Sequence, residues 1–434
     1  MKIYFCNGYC RLLVVSFLTL SFLGCSGLHA PYRDAVETVP EQVSSPPSAV
    51  PAHPLSHHSP PPPIPTANAL SSSLAPSGGG QDLSAAQQSG RLPVVTQSEF
   101  SYENATLTED ITWRGSVLVR GYLVIAPQAT VKIEPGTVVR FMKSPIVRQL
   151  PRLVVLGRID CRGLNDQPVL FTPNSAAAVP GEWGGILLLS SEKRNHFEHV
   201  RIEGAKTGVE ARFSTLSASD ITITRSLSGM LLRDSMARLV RVRIENGETA
   251  LEAFDSEVEL RESTFVHNRR GISARRTTLA LQAVSVRNSE QQGVTADECH
   301  IKFNSCEFAE NGGGGHFRRA EGQISRTRFV GNRGVGLELA VSRLKIQKSL
   351  FADTVGDGIR IDDGQSVIWE SAFEGNSGHN MVNSGSEIVS AVQNWWGTPH
   401  ETAIAKKLFD EVQDPRNSKI LFFPWLPEKP AAVP

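Results

Sequence analysis

One apolar position recurs through the middle of this chain: Ile202, Ile223, Ile244, Phe265, Val286, Phe308, Phe329, Phe351, Phe373 and Trp395, at steps of 21 or 22 residues. A second keeps pace five residues earlier, from Phe197 through Ala218, Leu239, Leu260, Leu281, Phe303, Ile324 and Ile346 to Ile368. A period held over so many cycles marks a repeat architecture. Within a cycle apolar and polar residues alternate, as in Ile221-Thr222-Ile223 and Val242-Arg243-Ile244, which predicts short half-buried strands. A third inward segment follows a glycine, as in Gly208-Val209, Gly229-Met230, Gly271-Ile272 and Gly358-Ile359. About 21 residues cannot hold a helix and a return strand, and no 3.6-residue stripe appears. Three strands per cycle, making one turn of a coil, is the arrangement that fits.

Stacked coils bring like residues into register about 4.8 Å apart. Asparagines recur after the second strand of the pattern, at Asn246, Asn268, Asn288, Asn311, Asn332 and Asn376. Two roles are open to them: bonding the coils above and below, or supplying a left-handed turn. The period, the Phe/Ile-x2-Asn-x-Gly rhythm and Asn394-Trp395-Trp396-Gly397 give the chain its resemblance to the right-handed parallel β-helices of the pectin-lyase-like class. The expected fold is therefore all-β, a solenoid with regular repeats over 193–397. Capping coils precede it over 100–192, and a C-terminal cap follows over 398–434. In that cap Ile404, Leu408 and Val412 predict an amphipathic helix from Glu401 to Val412, and Ile420 to Leu426 reads as a final strand. Trp395 and Trp396 read as last core layer and lid rather than as a sugar platform.

The N-terminal hundred residues lack the period. Lys2 and Arg11 precede or flank an apolar run from Leu12 to Leu23, too short to span a bilayer comfortably. Leu23-Gly24-Cys25 resembles a bacterial lipoprotein cleavage box, which implies a signal peptide over 1–24 and acyl chains on Cys25. Ser26 resembles the outer-membrane sorting choice. An ordinary secretory signal with an incidental cysteine is the competing reading. Residues 25–99, dense in proline and serine, predict a disordered tether, since such a segment buries too little surface to offset its ordering entropy. His53, His57 and His58 lie within it.

Charge changes the picture little: 44 basic and 44 acidic residues balance, which argues against a nucleic-acid partner. Arginines in the repeats (Arg238, Arg241, Arg243, Arg275, Arg276) are interleaved with Glu245, Glu257, Glu259 and Glu262, predicting a solvated outer face rather than an anion-binding stripe. Cys161, Cys299 and Cys306 remain after the signal; Cys306 takes an inward slot and Cys299 the turn before it, with a disulfide between them left open. No cofactor or metal set is recognised.

The best catalytic candidates are Asp357, Asp362, Asp363, Arg360 and His379. The register puts His379 one coil beyond Asp357, and Arg360 one coil beyond Glu338. Carboxylates, an arginine and a histidine on one face suit acid/base work on a polysaccharide. Against this, Asp357 and Asp362-Asp363-Gly364 also read as turn residues. Hydrolases of the class are expected to carry paired Asp, Gly-His-Gly and Arg-x-Lys in order along one face. Here Gly315-His316 runs into Phe317. The Gly312 to Gly315 run either lets a glycan approach the backbone or absorbs an extra residue.

The expectation is an envelope-anchored, monomeric β-helix lipoprotein of the outer membrane. It binds or presents to polysaccharide or another envelope component without chemistry. A lyase or hydrolase acting on an anionic polysaccharide, and a purely structural surface protein, are the alternatives.

Overall fold

The structure is a computed structural model that describes residues 100–145 and 149–434. The signal segment, Cys25, the tether and its histidines lie outside the described residues.

The repeat forms a parallel β-solenoid of about 13 coils. One coil shows how. Ser228–Arg233, Met236–Val240 and Arg243–Glu245 are its three strands. Each pairs in parallel with the strand one coil on, setting Met230 against Leu251, Leu239 against Leu260 and Ile244 against Phe265. The corners turn on single residues at positive φ: Asp234 at 47°, Arg241 at 51° and Asn246 at 59°. Outside glycine that conformation costs about 1 kcal/mol. The offset is a hydrogen bond, because the corner aims the residue's own N–H at the next coil, as in Asp234 N to Phe254 O (3.1 Å) and Arg241 N to Arg261 O (3.0 Å).

Both apolar columns lie in register through the regular coils, from Ile202 opposite Ile223 to Phe351 opposite Phe373. From Phe308 onward the rings of Phe329, Phe351 and Phe373 stack with centroids 5.2, 5.2 and 5.0 Å apart. The column then departs from the expected slot. Trp396, not Trp395, stacks on Phe373 at 4.6 Å. Ala372 bridges Trp395, so the last step is one residue longer than the 22 counted to Trp395. Trp396 is buried and Trp395 is half-buried against the smaller cluster around Ala372.

Polar ladders line the corners inside the coil. Ser214 N donates to Ser235 Oγ (3.1 Å) and Ser235 N to Ser256 Oγ (3.2 Å). At the third corner Asn311 N donates to Asn332 Oδ1 (3.0 Å), while Asn332 Nδ2 donates to Phe308 O (3.0 Å). The two roles open to asparagine thus fall on different residues. Asn268, Asn311, Asn332 and Asn376 are buried and bond adjacent coils, whereas Asn246 and Asn288 hold positive-φ corners one position earlier. Cys299 lies at the turn between the strands Gln292–Asp297 and His300–Asn304, and it is buried there. Both it and Cys306 occupy buried corner positions that serine or threonine fills in other coils, each Sγ facing a carbonyl of its own coil. Both are free, and burial pushes the Cys306 thiol up to about 11.

The ends close differently from the middle. Phe100–Leu107 pairs with Ser116–Ile125 as the first rung. At the other end the helix covers only Glu401–Ala405. It stops short of the expected Val412 because Leu408–Phe409 is drawn into pairing with Met381–Asn383, leaving Val412 exposed. The final strand keeps only Ile420–Leu421. Pro424, lacking an N–H, cannot extend it.

Candidate functional site

Three of the five expected catalytic residues come together. His379 lies one coil beyond Asp357 and Arg360 one coil beyond Glu338, as the register predicts. Asp357 precedes the strand Ile359–Asp362, at the position that Val335 and His379 hold in the neighbouring coils. Its Oδ1 accepts from His379 N (2.9 Å) and faces His379 Nδ1 (3.3 Å), and its Oδ2 accepts from Arg360 Nη2 (2.7 Å). Burial works to raise the Asp357 pKa. The His379 N–H and the Arg360 guanidinium outweigh it and hold the carboxyl below the usual range. Asp357 is therefore an ionised anchor with both oxygens engaged, poorly suited to accept a proton at neutral pH. The His379 ring packs edge-on to Phe409 at 5.4 Å. Lys407, from the C-terminal cap, clamps the same turn through bonds to Asn376 O and Gly378 O, both 2.9 Å.

The other two stand apart. Asp362 is exposed at the end of its strand. Asp363 holds a positive-φ corner (56°) and accepts from Ser386 N (2.6 Å) and Ser386 Oγ (3.0 Å), tying two coils together. The glycine run is a packing feature: a Cβ on Gly314 would stand 2.1 Å from Gly336 O. Among the described residues no group of three His, Cys, Asp or Glu is placed to hold a metal ion.

A larger feature lies along the corner that Asp363 occupies. An open groove of about 890 Å³ runs across seven coils, with Asp255, Arg276, Glu298, Arg319, Val341 and Asp363 marking successive positive-φ corners and Ser386 lining it in the coil beyond. Asp357, Arg360 and His379 do not line it. One wall is an outward column of the second sheet, where Thr278, His300, Glu321 and Arg343 pair coil by coil and are all exposed. Gln365 continues the wall. The sequence carried a signal for this column, since it repeats at the same 21- or 22-residue step as the core. The polar rungs are chemically unlike one another, and no residue type flags them.

Arginines of the outer face are held by carboxylates, in keeping with a solvated surface. Arg241 meets Asp220 at 2.7 Å and Arg276 meets Asp255 at 2.6 Å. Arg318 and Arg319 converge on Asp297, and the Arg318 bond foremost keeps that carboxyl below its usual pKa.

Two family descriptions match, "Right handed beta helix region" over residues 271–394 and "Pectate-lyase like beta helix domain" over 104–225. The chain is a right-handed β-helix repeat protein. A search of curated proteins finds no match. Among solved structures this β-helix is similar to the periplasmic alginate epimerase AlgG, at 11% identity over 65% of this chain and 77% of that one, with TM-score 0.37. The A-module of Azotobacter vinelandii mannuronan C-5 epimerase AlgE6 is 12% identical over 69% of this chain and 91% of that one, with TM-score 0.35. Tailspike protein 3 of bacteriophage CBA120 is 12% identical over 74% and 55%, with TM-score 0.29. At such identities and scores these likenesses carry nothing about chemistry.

Proposed function

We propose that this β-helix is a non-catalytic scaffold that binds or presents to polysaccharide or another envelope component. It is carried as an exported lipoprotein anchored through Cys25, its folded body held off the membrane by residues 25–99. The observation that supports the reading is the groove. It is long, open and polar, and it offers one outward side chain per coil, which suits an extended chain of repeating units. The residues best suited to chemistry lie outside it, and Asp357 is saturated by its partners.

One observation favours a second reading, a lyase or hydrolase. Asp357 orients the His379 ring through Nδ1, and His379 Nε2 has no hydrogen bond among the described residues. An oriented imidazole with a free nitrogen is the arrangement of a general base. The two readings separate in one experiment. The protein is incubated with uronate-containing and neutral glycans, and unsaturated or reducing ends are measured beside binding. Binding that persists in Asp357→Ala without turnover supports the scaffold. Turnover that vanishes in that variant overturns it.

A further inference from the structure

The groove has a chemical bias. Its lining holds three arginines against five carboxylates, an excess of two negative charges with His300 neutral. Two of those arginines are already committed, Arg276 to Asp255 and Arg319 to Glu298 (2.8 Å). Only Arg343 has no ion pair among the described residues, and Glu321 stands directly beside it in register. Near the far end Glu387, the last of the five carboxylates, has no ion pair among the described residues. A polyanion laid along this corner would meet net repulsion and a single uncommitted cation.

The wall points the same way. Thr278, His300, Glu321, Arg343 and Gln365 mix donors and acceptors at the coil rise of about 4.8 Å, with His300 Nδ1 facing Glu321 Oε1 at 3.3 Å. Sugar hydroxyls both donate and accept, so a chain of them can satisfy such a mixed ladder where a row of carboxylates cannot.

We propose that the groove takes an uncharged, hydroxyl-rich glycan lying along the coil axis and discriminates against polyuronates. This rests on the reading of the β-helix as a binding scaffold and adds the ligand class.

Isothermal titration at low salt with the full chain tests it, using dextran, a β-glucan and chitin oligomers against polymannuronate and polygalacturonate. Two variants accompany the wild type: a plug (Thr278→Trp with Gln365→Trp) and a charge reversal (Glu321→Lys with Glu387→Lys). All substitutions are at exposed positions, and circular dichroism checks the fold of each. The expected result is that the wild type binds at least one neutral glycan and binds polyuronates roughly tenfold or more weakly. The plug should abolish neutral binding, and the reversal should admit polyuronate. If the wild type binds polyuronate as tightly as any neutral glycan and the plug removes both, the ligand class is wrong while the binding reading stands. If the wild type binds a neutral glycan and the plug changes nothing, the groove is not the site and this inference falls while the binding reading stands; if no glycan binds, the inference falls together with the polysaccharide form of the scaffold reading.

Discussion

Removing the ring of Phe329 is the sharpest test of the coil register. Phe329 is fully buried, and its ring lies between Phe308 and Phe351 at 5.2 Å on both sides, tilted 17° from one and 2° from the other. Phe329→Ala deletes the ring from a site where rigid strands above and below leave little room to collapse. The expected loss is about 3–5 kcal/mol, within which the two lost ring pairs account for roughly 0.5–1.5 kcal/mol each. A solenoid's stability is close to a sum of nearest-neighbour terms, so the loss should be local. Native-state hydrogen exchange should quicken roughly 100-fold or more around Phe308, Phe329 and Phe351. Amides near Leu123, many coils away, should keep their protection. Phe329→Asp should lose several kcal/mol as well, since it strands an unpaired buried charge. A change under about 1 kcal/mol, or one spread evenly along the chain, would refute the stacked-column reasoning.

Other perturbations probe the ladders and the site. Asn332→Ala removes the acceptor of the buried Asn311 N–H and one donor to the Phe308 carbonyl and should cost about 1–3 kcal/mol; Asn288→Gly, at a positive-φ corner (55°), should change stability by only tenths of a kcal/mol in the same urea titration. The carboxyls of Asp297 and Asp357 are depressed in the folded state. Their stabilisation is therefore complete above the unfolded carboxylate value near pH 4 and is lost as pH falls through the lower folded values. Asp297→Asn should flatten the acid limb of a melting-temperature profile, and an unchanged limb would count against the ion-pair account. Lys407→Met removes three bonds to the turn carrying His379, so exchange should quicken at Gly378 and His379 while the Phe308 region is untouched.

The fold was legible because its central constraint is one-dimensional. A residue and its neighbour one coil on share a core column, so Ile244 and Phe265 announce their contact by interval alone. Legibility failed where the interval changed. The extra residue before Asn394 moved the last core layer from Trp395 to Trp396, and strand pairing at Leu408–Phe409 overrode a helical pattern whose apolar positions were genuine. Of the candidate site, Asp357, Arg360 and His379 were placed correctly by register. Asp363 was drawn into the same group by sequence proximity, although the strand Ile359–Asp362 carries the chain from one corner to the next. The groove escaped notice because its rungs share one position in the coil but not a residue type.

The corner ladders have a consequence for how such a molecule changes length. At Ser214, Ser235, Ser256 and Asn311 the rung gives its backbone N–H to one neighbour and receives on its side chain from the other, so the two faces of such a coil match those of the coils beside it. Duplicating a whole unit, such as Ser228 through Glu248, should lengthen the protein by one rung and leave every seam intact. Losing one residue from that unit would put a polar corner where a ring belongs. Growth by whole modules is then the cheap path for this architecture, and the reach of its groove can be tuned without redesigning any single layer.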